Sequence, residues 1–255
     1  MELEKKKDVV VELAGLLRRI NEGKNPQSLR KEASRLIGCI HPKDITLAES
    51  ELIKVGFTAQ RVQQLSSAFI LMGVLEGRKT DLYRQLPQGH VLKKVLAEHE
   101  MLRCFLSDLE DLVKTISKMD AMSETNSDFR RLAHVIEHLN AMEEHMDRES
   151  DVIFPFLKSA GWESLCRSVE SDHVYLRIAL KDLVKLIVNY RSVRFDVFKT
   201  QLSSLAKYII PGLKEHLFHE DCVLYPLAVE LVTDPKAWQR LKKVCDDIDY
   251  CGLHI

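Results

Sequence analysis

Histidine and glutamate residues recur along this chain in a pattern that suits metal ligation. A His-x-x-x-Glu pair occurs at His145 and Glu149 and again at His216 and Glu220. Each pair is followed by an apolar run and by a proline ten positions after the histidine. Residues four apart lie on one face of a helix, so each pair can present an imidazole and a carboxylate together.

A second repeated pattern supplies two further histidines. The segments 98–103 and 172–177 both read acid-His-x-x-Leu-Arg, with His99 and His173 in second place. These histidines precede the histidine of the next His-x-x-x-Glu pair by 46 and 43 residues. Histidines that repeat with both their neighbours and their spacing indicate a shared function rather than chance.

The repeated residues together suit a site with two metal ions. The six candidate ligands are His99, His145, Glu149, His173, His216 and Glu220. They give each metal two imidazoles and a share of two bridging carboxylates, with room for a bridging oxo or hydroxo group and an open position. Two unpartnered buried carboxylates would be costly, and a pair of dications removes that cost. This donor set fits redox-active iron better than a closed tetrahedral zinc site.

Hydrophobic periodicity predicts helices throughout the chain. In the N-terminal region they are expected at 4–20, 28–40, 46–56 and 58–77, with a capping box at Thr46 and Glu49. Longer helices follow at 91–119, 128–159, 162–190 and 195–232, and a final helix at 235–249. Pro211 is expected to kink or break the fourth long helix.

This pattern predicts an all-α protein, in which an antiparallel four-helix up-and-down bundle follows a small helical domain. The predicted domains are 1–86, 90–232 and 233–255, the last a C-terminal helix and tail. Only 10 glycines and 7 prolines interrupt the 255 residues. Alternation of β-branched and aromatic residues is scarce as well.

Composition and charge exclude several classes of protein. The net charge is −1, from 37 basic and 38 acidic side chains that are interspersed, so no face is expected to bind nucleic acid or a membrane surface. The longest apolar run, 68–75, is too short to cross a bilayer. The N-terminus lacks a signal-peptide pattern, and the six cysteines form no Cys-x-x-Cys pair. These features predict a cytoplasmic protein with reduced thiols.

The spaced histidines and glutamates, with Phe-Pro and Tyr-Pro after the two pairs, resemble the hemerythrin-like (HHE cation-binding) family over roughly 90–232. The six candidate ligands are similar to those of di-iron proteins of the repair-of-iron-centres type. Oxygen-carrying hemerythrins have a second histidine where this chain has Arg177, and an aspartate in the last motif where it has Glu220. The resemblance therefore implies a non-heme di-iron site. The two departures, at Arg177 and Glu220, argue against reversible oxygen carriage.

The N-terminal region resembles a helical domain of unknown function that precedes hemerythrin-like domains in some bacterial and archaeal proteins. The match lies in 29–89, mainly in 51–56 and 87–90. Members of that group often carry Leu-Cys-Asp-Val-His in the following helix, where this chain has Leu-Ser-Ser-Ala-Phe at 65–69. Any cysteine or histidine chemistry of that motif is therefore absent.

Several residues near the candidate ligands are expected to serve packing rather than ligation. His138 is interpreted as a packing residue or as a residue that supports a ligand, and His219 as a surface residue. Tyr175 and Tyr225 are expected in the core near the metals. Cys104 is expected to be a small buried side chain.

Three functions remain open at this stage. The first is a di-iron protein that binds or reacts with dioxygen, nitric oxide or peroxide, in oxidative or nitrosative stress, in iron-centre repair or in iron homeostasis. The second is an iron- or gas-sensing module that signals through the N-terminal helices, by a protein partner or a homodimer. The third is a metal-free helical scaffold. The residues do not distinguish an enzyme from a binding protein.

Overall fold

The computed structural model is helical throughout the residues that it describes, which are 2–24, 26–37, 39–75, 82–121 and 126–248. No strand occurs within these ranges. The all-α class predicted from the sequence is therefore confirmed. No helix in these ranges is long and apolar enough to span a bilayer.

The N-terminal region folds as successive helices separated by short turns. They are α1 (Glu2–Asn21), α2 (Pro26–Ile37), α3 (Pro42–Lys54), α4 (Ala59–Leu75) and the single turn α5 (Leu82–Gln85). Gly56, which has a φ of 100°, follows α3 as predicted. The predicted end of the fourth helix at Gly77 lies outside the described residues.

The predicted start of α3 is wrong by about one turn. The helix begins at Pro42, and Asp44 accepts a hydrogen bond from the main-chain N–H of His41 at 2.8 Å. Thr46, the predicted N-cap, instead donates its hydroxyl to the carbonyl of Lys43 at 3.0 Å from within the helix. The sequence offers two capping patterns here, and a proline at the first helical position with an acid two residues later is the stronger one.

The longer C-terminal region contains further helices, two of which are subdivided. They are α6 (Val91–Ser117), α7 (Ser127–Asn140), α8 (Met142–Arg148), π1 (Glu149–Ile153), α9 (Phe154–Ser159), α10 (Glu163–Val188), a 3₁₀ turn (Tyr190–Ser192), α11 (Phe195–His219), π2 (Glu220–Leu224), α12 (Tyr225–Leu231) and α13 (Pro235–Ile248). Where the sequence predicts single helices over 128–159 and 195–232, the structure inserts a π-helical turn in each.

Both π segments begin at a candidate glutamate ligand and end just before a Phe-Pro or Tyr-Pro pair. Pro155 and Pro226 have no N–H to donate to the carbonyl four residues earlier, and their rings crowd that carbonyl. A wider π turn relieves this crowding, and such turns are frequent at functional sites. By contrast, α11 runs through Pro211 without interruption, so the expected break at that proline does not occur.

The chain divides into two compact units. The first comprises Met1–Pro87, Phe154–Ser171 and Glu215–Ala237, and the second comprises Gln88–Ile153, Asp172–Lys214 and Trp238–Ile255. The division into domains 1–86, 90–232 and 233–255 stays a prediction.

The first unit has one apolar core that joins the N-terminal helices to π2. Helix α1 packs against α2, α3 and α4, and α3 packs against π2. Leu52 of α3 and Val223 of π2 lie in the same cluster of buried side chains. The other large members include Leu13, Leu16, Leu17, Leu36, Leu65 and Phe69.

The second unit is built around α6, which packs along α7. One stripe of α6 is buried, as its periodicity predicts: Leu92, Val95, Leu96, His99, Leu102, Leu106 and Leu109. Leu202, Ala206, Ile209 and Leu213 of α11 are also buried in this unit. The candidate ligand His99 therefore lies on the apolar face of its helix.

Helix α3 allows a matched test of the first core. Leu52 is 0% exposed and Leu47 is 44% exposed on the same helix. We expect Leu52→Ala to lower the free energy of unfolding by about 2–5 kcal/mol, because it removes buried methyl groups and leaves a cavity. Leu47→Ala should cost less than about 1 kcal/mol. Urea denaturation measures both, and equal losses would contradict the packing described.

Candidate metal centre

Helices α6 and α8 bring two candidate histidines together in the second unit. The Nε2 atoms of His99 and His145 lie 3.2 Å apart, and both side chains are fully buried. Their rings are tilted by 60°, with centroids 4.8 Å apart. Both ring nitrogens therefore face a common point, as two ligands of one cation do.

The first residue of π1, Glu149, lies between His145 and a third candidate histidine, His173. Its Oε2 atom is 3.7 Å from Nε2 of His145 and 3.1 Å from Nε2 of His173 on α10. The carboxylate and both imidazoles are buried. Four of the six predicted ligands thus form a cluster within one compact unit.

The remaining two candidates, His216 and Glu220, lie in the first unit. His216 occupies the last turn of α11, and Glu220 is the first residue of π2. Nε2 of His216 is 2.7 Å from Oε1 of Glu220, and both side chains are buried. The second His-x-x-x-Glu pair therefore shares one helix face, as predicted. That it serves the same cations as the other four residues stays a proposal.

The chemistry of these side chains fits a metal site. Imidazole nitrogen is a good ligand for iron, zinc or copper, and carboxylate oxygen suits harder cations. Burial of a carboxylate among imidazoles is costly unless a cation or a hydrogen bond compensates its charge. A metal ion would supply that compensation, and the buried imidazole nitrogens and carboxylate oxygens are donor atoms that could hold it.

An ion pair on the far side of His145 holds this candidate ligand in place. Oε2 of Glu98 is 3.4 Å from Nδ1 of His145, and Arg148 donates to both carboxylate oxygens of Glu98. Burial opposes ionisation of Glu98, but the hydrogen bond with His145 and the positive charge and hydrogen bond of Arg148 outweigh it and lower the pKa of this carboxyl group. A carboxylate behind a histidine ligand fixes the ring orientation and makes the nitrogen a better donor.

Sequence reasoning assigned no role to Glu98 or Arg148. A signal was present for Glu98, because an acid precedes the histidine in both copies of the first pattern. Arg148 gave none, since a charged residue is expected at the surface. It is nevertheless among the largest fully buried side chains of the described residues.

A small cavity of about 10 Å³ lies beside His145 and Glu149. Apolar side chains line most of it, including Val95, Val152, Ile153 and Leu241. Cys245 of α13 also lines the cavity, and burial raises the pKa of its thiol to about 11. The space is about that of one water-sized molecule.

Several expectations for neighbouring residues are corrected. His219 is 1% exposed and does not lie at the surface; its Nε2 is 3.3 Å from Oε1 of Glu49. Tyr175 is 52% exposed, so it is not a core residue, and Cys104 is exposed too. Both lie on the exposed face of a helix whose buried face carries a candidate ligand.

Two expectations are confirmed. Tyr225 is fully buried at the start of α12. His138 packs against Phe105 with ring centroids 4.5 Å apart, in agreement with a packing role.

Comparison with known proteins identifies two family models along the chain. The model described as the hemerythrin HHE cation binding domain matches residues 90–228, which include all six candidate ligands. A family of unknown function, DUF438, matches residues 13–70. The chain is also 25% identical over 131 residues to a zinc finger protein BRUTUS-like of Arabidopsis thaliana. That match covers 47% of this chain but only 10% of the plant protein.

The buried pair of Arg148 and Glu98 predicts a large stability effect. Arg148→Met leaves the carboxylate of Glu98 buried without its guanidinium partner. We expect the free energy of unfolding of the metal-free protein to fall by about 3–5 kcal/mol. Arg131→Met is the control, because Arg131 pairs with Asp108 at the exposed surface and should contribute less than about 1 kcal/mol. Comparable losses in the two variants, measured by urea denaturation, would show that Glu98 needs no such partner.

Proposed function

Because the chain belongs to the hemerythrin HHE cation-binding family, we propose that it is a non-heme di-iron protein that binds or reacts with dioxygen or nitric oxide. The observation that carries this proposal is a buried cluster in which His145 and His173 lie beside the carboxylate of Glu149, and His99 lies beside His145. We assign it a cytoplasmic role in oxidative or nitrosative stress, or in the repair of iron centres and iron homeostasis.

We propose that all six candidate residues ligate the two irons. The repeat supports this assignment, because His145 and Glu149 have the same spacing and the same π turn as His216 and Glu220. The four imidazoles and the two carboxylates would hold the two irons between them. Such a set leaves a coordination position open on at least one metal.

The protein side chains have separate tasks in this proposal. Glu98 and Arg148 orient the ring of His145, so that its Nε2 faces the cluster. The apolar wall of Val95, Val152 and Ile153 limits access to one small molecule and disfavours charged ones. Bound iron supplies a change of oxidation state and an exchangeable position.

Metal analysis tests this proposal directly. Protein expressed with sufficient iron should carry two irons per chain and show a visible charge-transfer band. His145→Ala and Glu149→Gln should lose most of the iron, because each removes a ligand atom. His138→Ala is the matched control, since that histidine packs on Phe105 and should leave both irons in place. Protein that is purified metal-free or with zinc alone would refute the di-iron assignment.

A second candidate function is an iron- or gas-sensing module that signals through the N-terminal helices. The observation that favours it is the shared core of the first unit, in which α3 packs against π2. A change in the ligand state of Glu220 at the start of π2 then reaches α3 through direct packing. When two elements pack together in this way, a ligand that binds one of their conformations more tightly shifts the equilibrium toward that conformation.

Amide hydrogen exchange with and without metal tests this sensing function. Removal of metal should raise amide exchange in α3, because the helix loses a fixed packing partner in π2. Helix α2, which packs on α1 and α4 in the same unit, serves as the reference. Mass spectrometry after deuterium labelling measures both helices. Identical exchange of α3 with and without metal would argue against signalling through this route.

A further inference from the structure

A buried histidine–carboxylate pair links helix α3 to the segment that carries the second pair of candidate ligands. Nε2 of His219 lies 3.3 Å from Oε1 of Glu49, and both side chains are buried in the first unit. His219 is the last residue of α11 and directly precedes Glu220. The N-terminal region therefore contacts the chain one residue away from a candidate metal ligand.

The repeat gives this pair a counterpart in the first half of the pattern. Arg148 and His219 each lie three residues after a candidate histidine ligand and one residue before a candidate glutamate ligand. Each forms a hydrogen bond to a buried carboxylate, Arg148 to Glu98 and His219 to Glu49. The same position is thus held in both halves, but by carboxylates from different parts of the chain.

The geometry makes the ring of His219 dependent on Glu49. Its Nδ1 atom has no hydrogen-bond partner among the described residues, so Nε2 makes the contact that orients the ring. A neutral imidazole with its proton on Nε2 donates to the carboxylate and leaves only a lone pair on Nδ1. Val223, three residues after Glu220, packs in the same apolar core as Leu52 of α3. Segments on both sides of Glu220 are therefore in contact with the N-terminal region.

We propose that Glu49 is a positioning residue for the metal centre, which acts through His219 to hold Glu220 and His216 in the geometry that binds metal. The inference rests on the proposed function, since it requires that these two residues are ligands. It assigns the N-terminal helical region a part in metal affinity that neither family match describes. The alternative is that the pair only stabilises the core of the first unit.

Cobalt(II) titration of the metal-free full-length protein separates these two roles. Co²⁺ reports its ligand field by visible absorption, so affinity and geometry are read from the same experiment. Three variants are compared with the wild type: Glu49→Ala, Glu49→Gln and Glu51→Ala. Glu51 is the matched control, because it lies on the same helix and pairs at the exposed surface with Lys54. Circular dichroism at the titration temperature identifies the variants that are folded.

The proposal predicts that Glu49→Ala weakens at least one of the two Co²⁺ binding steps by about tenfold or more, and shifts the visible bands. Glu49→Gln should restore most of the affinity, because the amide oxygen still accepts the hydrogen bond from His219. Glu51→Ala should match the wild type. If Glu49→Ala does not fold, the His219→Asn variant removes the same contact and should give the same weakening.

Two results would overturn the inference, and they are distinguishable. Folded Glu49→Ala protein that binds two Co²⁺ ions with wild-type affinity and spectrum refutes the positioning role and leaves the proposed function intact. Wild-type protein that binds no Co²⁺ or Fe²⁺ refutes the proposed function, and the positioning role is refuted with it.

Discussion

The burial of a carboxylate among imidazoles is the constraint on which this structure depends. Glu149 lies inside the second unit, with ring nitrogens of His145 and His173 within 3.7 Å of one oxygen. A buried charge without a partner costs several kcal/mol, which is a large part of the net stability of a domain. Apolar side chains cannot compensate such a charge, so the cluster is stable only with a cation or with protons shared among its members. In the proposed di-iron protein the cation is therefore also a folding partner.

The local backbone is adapted to this cluster. A histidine and a glutamate four residues apart share one face of an α-helix, but the proline six residues after the glutamate removes a main-chain hydrogen bond and crowds the preceding turn. The π turns at 149–153 and 220–224 satisfy both requirements. They widen the helix just after the candidate ligands, which relieves the clash between the proline ring and the carbonyl four residues earlier. The π turns thus allow each helix to continue past a proline that would otherwise disrupt it.

Much of this arrangement could be predicted from the sequence, because its signals are local. The 3.6-residue periodicity located the helices, and the spacing of His145 and Glu149 placed both on one face. The sequence did not reveal the π turns, since they result from competition between proline and helix continuation that periodicity does not report. It also did not reveal the partners of Arg148 and His219. Those contacts join residues 50 and 170 positions apart, and only the folded chain decides which carboxylate is near.

The carboxylates of Glu98 and Glu49 contact equivalent positions of the repeat, Arg148 and His219, but they belong to different parts of the protein. Glu98 lies next to His99 on α6, so the pair of His145 and Glu149 is contacted, through Arg148, by a helix that also carries a candidate ligand. Glu49 belongs to α3, so the pair of His216 and Glu220 is contacted, through His219, by a helix that carries no candidate ligand. Thermodynamic linkage is reciprocal, and a contact that strengthens metal binding is itself strengthened when metal is bound. If His216 and Glu220 bind metal as proposed, bound metal stabilises the packing of α3, and a partner that displaces α3 lowers the metal affinity. In this proposal the N-terminal helices respond to the state of the metal centre without a ligand of their own.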